Sequence, residues 1–361
     1  MADKIEEIES EKTTNVAKCP ECGANMEYSP TQQVLKCPYC GTKVNLDFSN
    51  HSQEQDFSKL LEKHATWGNE VHVYRCNNCG GKQVLNKQDI ALICPFCGTS
   101  NVIETSEISG LKPNGVVPFA VDKDKASDSL IKWAKKNFWA PRALKKSISP
   151  EEIRGIYSPA FTFDCETFSH YEGRLGKEYT ETRTRNGKRE TVTKIRYFRI
   201  SGVNSLDFDD IVVSASSKIS PQTLDNLGGF NTNNSQQYDD KYLYGYLAEG
   251  GVRSGEDCYE DAKRTMSKEI RDDILRGYSY DVVDYLNVQT SYNNPTFKYL
   301  LLPIYIGHYK YRNKDYNFWI NGYTAKVYGK SPKSFIKIGI LALIILIVVV
   351  AILILMNQGG N

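Results

Sequence analysis

The feature that most constrains this chain is a sentence spelled twice in cysteine. Cys19, Cys22, Cys37 and Cys40 recur as Cys76, Cys79, Cys94 and Cys97, each member displaced by 57 residues, so eight of the ten cysteines belong to one duplicated unit. Each unit reads C-x2-C, fourteen intervening residues, C-x2-C. That is the spacing of a four-cysteine zinc ribbon, in which each pair sits at the tip of a tight hairpin. Gly23, Gly41, Gly80 and Gly98 follow the second cysteine of every pair, where the backbone turns at positive φ so that amides face the sulfurs. Pro20, Pro38 and Pro95 follow the first cysteine in three pairs, and Asn77 stands in the fourth.

Four thiolates close a tetrahedron and leave no open position, so the expected cofactors are two structural Zn²⁺ ions, with iron the chemical alternative for the same ligands. A disulfide framework is disfavoured, because x2 spacing closes poorly as a bridge and the compartment is expected to be reducing. About thirty residues bury too little apolar surface to fold alone, and metal binding supplies the missing free energy. His72, beside a quartet already complete, reads as an ordinary strand residue. Cys165 and Cys258 have no C-x2-C mate and read as core thiols.

The expected organisation is a disordered acidic N-terminus at 1–15, ribbon 1 at 16–47, a linker at 48–70, and ribbon 2 at 71–105. An α+β domain follows at 106–334, then a transmembrane helix at 335–356 and a short extracytoplasmic tail at 357–361. The fold class is thus two small β zinc ribbons followed by an α+β domain with an antiparallel sheet and a C-terminal transmembrane helix. The polar linker implies ribbons that move independently.

The N-terminus "MADKIEEIESEKTTN" has no apolar h-region and is not a signal peptide. Ile338 to Met356 is an unbroken run of 19 apolar residues, about 30 Å of helix. Lys326, Lys330, Lys333 and Lys337 precede it, so the positive-inside rule predicts a single-pass, tail-anchored protein in the cell membrane with its N-terminal part cytoplasmic.

Within the α+β domain, Leu130, Trp133, Ala134 and Phe138 fall at helical spacing before Pro141. The stretch from Lys123 to Lys146 holds eight Lys or Arg against two Asp, a charge compatible with an anionic lipid surface, although a stripe packed on the domain's own sheet is the simpler reading. Asn186-Gly187 sits between two alternating arms and predicts a hairpin whose Arg183, Arg185, Lys188 and Arg189 could suggest a nucleic-acid ribbon, although a solvated hairpin that guards its edges with charge is the simpler reading. Ser254 caps a second helix, over which Tyr259, Ala262, Met266, Ile270 and Ile274 share a face up to Gly277. A three-stranded meander follows, turning near Asn313 and at Asn321-Gly322.

No P-loop, G-x-S-x-G or H-E-x-x-H occurs, and Asp207, Asp209 and Asp210 read as an acidic turn, so no enzyme is predicted. The net charge of +2 does not choose a partner. From Val16 to Thr105, eight Lys or Arg meet nine Asp or Glu, which favours protein partners over nucleic acid.

The ribbon pair, "GVVPFAVDKDKA", "YSPAFTFDCET", "YLYGYLAEGG" and "LLPIYIGHYKYRNKDYNFWINGYTAKVYGKSP" together resemble a bacterial family of double zinc-ribbon membrane proteins. Its members are labelled TFIIB-type zinc ribbon or primosomal helicase-like. The resemblance spans Lys18 to Pro332. It implies a membrane-anchored companion of phage-shock protein A homologues. The function expected is therefore a tail-anchored adaptor recruiting protein partners in envelope or membrane stress, with a membrane-tethered nucleic-acid binder as the alternative.

Overall fold

The computed structural model describes residues 17–61, 71–79, 81–86, 94–96, 102–105, 111–137, 141, 153–185, 188–250, 253–311, 314–331 and 333–358. The expected N-terminal segment, the second half of the linker, Cys97, Gly80, Gly98, Phe138, the Asn186-Gly187 turn and Asn313 lie outside these residues.

In chain order the strands are β1 (Glu27–Ser29), β2 (Val34–Lys36), β3 (Lys43–Asn45), β4 (Gln55–Asp56), β5 (Val71–Cys76), β6 (Lys82–Asn86), β7 (Val102–Thr105) and β8 (Gly115–Val116). They continue as β9 (Arg154–Arg185), β10 (Lys188–Ser214), β11 (Gln236–Gln237), β12 (Leu247–Gly250), β13 (Val282–Tyr311), β14 (Lys314–Asn321) and β15 (Val327–Gly329). The helices are α1 (Ser58–Leu61), α2 (Lys123–Lys136), α3 (Pro221–Leu227), α4 (Gly255–Arg276) and α5 (Phe335–Gln358).

Three strands of 27 to 32 residues, β9, β10 and β13, form the frame, with β9 paired antiparallel to both others. Strands this long twist and must bend, and the bends are bulges at Phe208/Ile211 in β10 and at Val283/Tyr285 and Asn293/Thr296 in β13. Asp210 and Asn294, at φ +52° and +47°, sit in two of these bulges.

The helix α4 lies on one face of this frame. Ser254 Oγ accepts from the Asp257 amide at 3.1 Å, the cap predicted from sequence, and every residue of the predicted apolar face is buried. Met266 and Ile270 are fully covered against Phe163, Leu175 and Phe297, and each such side chain contributes about 2–3 kcal/mol of burial. Cys165 and Cys258 are buried in the same cluster as small hydrophobes. The helix α2 buries Ala126, Leu130 and Ala134, with Trp133 packed beside them, so its apolar stripe faces the domain itself. The C-terminal meander is present as β13–β14–β15.

The expected fold class requires two corrections. The molecule is mainly one large antiparallel sheet, and ribbon 2 is part of it: β6 pairs with β12 at Ala248↔Val84, and β12 pairs with β9 at Leu247↔Ile156. Only β1, β2 and β3 form a separate three-stranded sheet. The first half of the linker is also docked, since β4 pairs with β13 and Phe57 lies against Tyr259 at 4.4 Å between ring centroids. Its apolar residues find a covered site on the frame, which composition alone does not show.

The second correction concerns the C-terminus. The apolar side chains of α5 are exposed, Ile338 at 38% and Ile347 at 59%. Among the described residues no helix is long and apolar enough to cross a membrane. The transmembrane span, the tail anchor, the single-pass membrane localisation with its cytoplasmic orientation, and the membrane and phage-shock protein A-like partners inferred through it are corrected accordingly.

Candidate metal centres

Ribbon 1 brings Cys19, Cys22, Cys37 and Cys40 together, their sulfurs all within 4.8 Å of one another. Two matching knuckles place them. The Cys19 amide donates to the Ala24 carbonyl at 2.8 Å and the Gly23 amide to the Cys19 carbonyl at 2.9 Å. In the other knuckle the Cys37 amide donates to Thr42 at 2.9 Å and the Gly41 amide to Cys37 at 3.0 Å. Gly23 and Gly41 stand at φ +72° and +79°, the left-handed turn that the sequence motif required.

The Cys19–Cys40 and Cys22–Cys37 sulfurs are 3.4 and 3.5 Å apart. An ion bound tetrahedrally at about 2.3 Å places its sulfurs about 3.8 Å apart, so the quartet needs only a small expansion to close on one. Hydrogen bonds from the Cys40 and Tyr39 amides lower the Cys37 thiol despite its burial, and the Thr42 hydroxyl and amide lower Cys40. Burial raises Cys19, but the Cys22 and Glu21 amides outweigh it and lower the thiol. Cys22 is pushed up to about 12: the Ala24 amide lowers it, but hydrogen bonding to Cys37 and Cys40 outweighs that. A cation would replace that shared proton.

Ribbon 2 brings Cys76, Cys79 and Cys94 within the same reach, with Cys79 and Cys94 sulfurs 3.7 Å apart. Cys97, the fourth expected ligand, is outside the described residues. As Cys19 and Cys37 are buried beside Phe119, Tyr157 and Leu301, so ribbon 2 has a buried pair of its own. Cys76 and Cys94 are wholly buried, in a cluster with Phe96, Ile156, Ala160, Ile219 and Leu300 of the large sheet and its loops. The Lys218 ammonium donates to the Cys79 carbonyl, so the knuckle is held from the body of the protein. A Cβ on Gly81 would stand 2.7 Å from Phe96 Cδ2, so only glycine allows that ring over the knuckle.

The comparisons with known proteins add one relative. At 27% identity over 311 residues, the chain is similar to an uncharacterized protein, YdjG, of Bacillus subtilis strain 168, with 72% of this chain and 90% of that protein covered. No family model matches the chain, and no solved structure matches it. The two cysteine groups are compatible with two zinc-ribbon-like modules and could bind metal ions.

The sequence reading passed over a third group. Glu54, Asp164 and Asp209 bring one carboxylate oxygen each within 4.8 Å of one another. Thr296 Oγ1 donates to Glu54 at 2.9 Å, and the buried Lys298 ammonium reaches Asp210 at 2.8 Å and Glu54 at 3.5 Å. Burial, reinforced by the hydrogen bond with Glu54, pushes the Asp164 carboxyl up to about 7, while that same hydrogen bond holds Glu54 below its usual range. The pair shares a proton and titrates as a unit. Lys298 supplies the cation this cluster needs. Asp209 and Asp210 therefore lie at a strand bulge rather than in a surface turn, and Asp207 pairs with Glu166 outside the group. Nothing local in the sequence links Glu54 to residues 110 and 244 positions away.

Proposed function

We propose that this chain is an adaptor whose two ribbons are shaped by structural zinc ions and which recruits a protein partner through ribbon 1. Zinc suits a closed set of thiolates, because it needs no preferred d-electron geometry and does no redox chemistry there. Its role is to supply folding free energy to segments too small to fold alone. The resemblance to double zinc-ribbon proteins supports the same assignment.

The observation that carries the reading is the outward surface of ribbon 1. Tyr39, at the tip of the second knuckle, is 82% exposed, and all three residues of β3 are exposed, Val44 at 38%. Among the described residues β3 pairs only with β2, leaving one edge open to an added strand. Beside it lies a cleft of about 560 Å³, bordered by Met26, Leu46, Asp47, Tyr238 and Tyr242. An exposed tyrosine next to a free edge and an amphipathic cleft is the composition of a protein-binding surface.

The test is capture by full-length protein, compared with a Tyr39→Ala, Val44→Asp variant, with zinc measured by mass spectrometry in both. Two zinc ions per chain and a specific partner lost in the variant are expected. Capture unchanged in the variant overturns the adaptor reading, and iron in place of zinc overturns the metal assignment.

A further inference from the structure

Beyond Gly176, where β13 begins to pair, β9 and β10 continue alone for nine residue pairs, from Lys177↔Arg196 to Arg185↔Lys188. At about 3.4 Å per residue this two-stranded arm is roughly 30 Å long. Among the described residues no other strand pairs with it. Such an arm is marginal in water unless cross-strand pairs hold it. Here Thr180 faces Thr193, Thr182 faces Thr191, and the Arg196 guanidinium lies 5.2 Å from the centre of the Tyr179 ring.

The arm concentrates positive charge. Residues 177–196 hold seven Lys or Arg against three Glu, a formal +4, whereas the whole chain carries +2, leaving −2 for everything else. One of the three carboxylates, Glu181, is taken by Arg183 and Lys194. Arg189 and Arg196 have no carboxylate partner among the described residues, and both are exposed. The excess beyond these contacts costs the fold, since like charges on a thin arm repel.

We propose that the β9–β10 arm binds double-stranded DNA through its phosphate backbone. B-DNA carries one negative charge per about 1.7 Å of axis, and its major groove, about 12 Å wide, admits a two-stranded β-ribbon. The arm spans close to one turn of the duplex, about 34 Å. Threonine hydroxyls with Arg189 on one face, and Lys177, Arg183, Lys194 and Arg196 on the other, provide donors to phosphate oxygens on both walls of the groove. The deep, narrow major groove of A-form RNA does not admit such an arm. The negative remainder of the molecule confines the contact to the arm. The inference is independent of the adaptor reading, and if both hold the chain links a protein partner to DNA.

The test is fluorescence anisotropy of a labelled 20-base-pair duplex titrated with full-length, zinc-loaded protein at 50 and 200 mM salt. Three or four phosphate contacts predict a fall in affinity of roughly 40- to 150-fold between those concentrations. A Lys177→Gln, Arg183→Gln, Arg189→Gln variant, which leaves the Arg196–Tyr179 contact and the threonine pairs in place, should keep the wild-type melting transition, bind at least about 10-fold more weakly at 50 mM salt, and show a salt slope smaller by about 2–3. Absence of binding at 50 mM, equal affinity in the variant, or a salt-independent signal overturns the proposal. So does displacement of the duplex by polyglutamate of matched length at equal potency, which assigns the arm to an acidic protein instead.

Discussion

The two ribbons share one cysteine spacing and meet opposite fates. In ribbon 1 the three strands form their own sheet, tied to the body by the Tyr28 amide donating to the Tyr244 carbonyl at 3.0 Å; Cys22 and Cys40 are exposed, while Cys19 and Cys37 are buried in the cluster that includes Phe119 and Leu301. In ribbon 2 the strands are hydrogen-bonded into the large sheet through β12, and Cys76 and Cys94 have no exposed surface. Ribbon 1 docks by packing: Tyr28 Oη donates to the Phe119 carbonyl at 3.1 Å, and the Tyr28 ring meets Tyr242 edge-on at 5.9 Å. A duplicated cysteine motif has thus produced one group on a sheet of its own and one on strands of the large sheet, and disrupting the two should cost the protein different amounts.

The largest effect expected is from breaking either centre. Structural zinc supplies on the order of 10 kcal/mol to a ribbon. A Cys76→Ser, Cys79→Ser variant should lose the main cooperative unfolding transition, because the cluster that loses its ligands includes Ile156 and Leu300 of the frame. A Cys19→Ser, Cys22→Ser variant should lose less, because the strands of ribbon 1 form a sheet of their own even though Cys19 is buried beside Phe119 and Leu301. Scanning calorimetry decides, and equal losses in the two variants would remove the distinction between the ribbons.

The next effect concerns how ribbon 2 is docked. Glu249 in β12 stands opposite Gln83, almost wholly buried, and accepts from the Ser217 amide at 3.0 Å and from Ser158 Oγ at 3.2 Å. Burial pushes its carboxyl up to about 7, and these hydrogen bonds only partly offset that. The folded state therefore holds a proton that the unfolded chain releases near its usual value. Stability from this group is complete below about pH 4.5 and is lost as pH rises through about 7, a span worth up to about 3 kcal/mol. A Glu249→Gln variant should flatten that dependence and be the more stable protein at pH 8, as read by denaturant melts across pH. The tyrosines that dock ribbon 1 do not titrate in this window, so a matching slope in a Tyr28→Phe variant is not expected.

Smaller still is the support of the second knuckle. Lys218→Met removes the donor to the Cys79 carbonyl and should cost about 1–2 kcal/mol, with faster loss of the second zinc to a chelator. In the wild type the exposed ribbon 1 should release its ion first, giving two phases of one equivalent each. Tyr28→Phe, which leaves the Phe119 carbonyl without its partner, should cost about 1 kcal/mol and speed only the first phase.

Much of the local structure was legible in the residues. The knuckle glycines, the Ser254 cap, the buried face of α4 and the stripe of α2 follow from contacts within a few positions along the chain. The register Arg185↔Lys188 likewise flanks the predicted two-residue turn. The great length of β9 and β13 was not legible. Both faces of these strands change role along their course, covered by α4 in one part and solvated in another, so no single alternation persists. The fusion of ribbon 2 with the sheet was hidden because β6 and β12 are more than 160 residues apart and neither carries a signal for the other. The reach of Lys298 to Glu54 is hidden for the same reason.

By itself the sequence determined where the two cysteine groups lie, which helices form and which way they face, because spacing, capping and turn chemistry act between neighbours. The tertiary structure alone decided that one ribbon keeps a sheet of its own while the strands of the other join the large sheet. That outcome depends on which distant strand edge satisfies the backbone donors and acceptors of each ribbon, a pairing made across space and not along the chain.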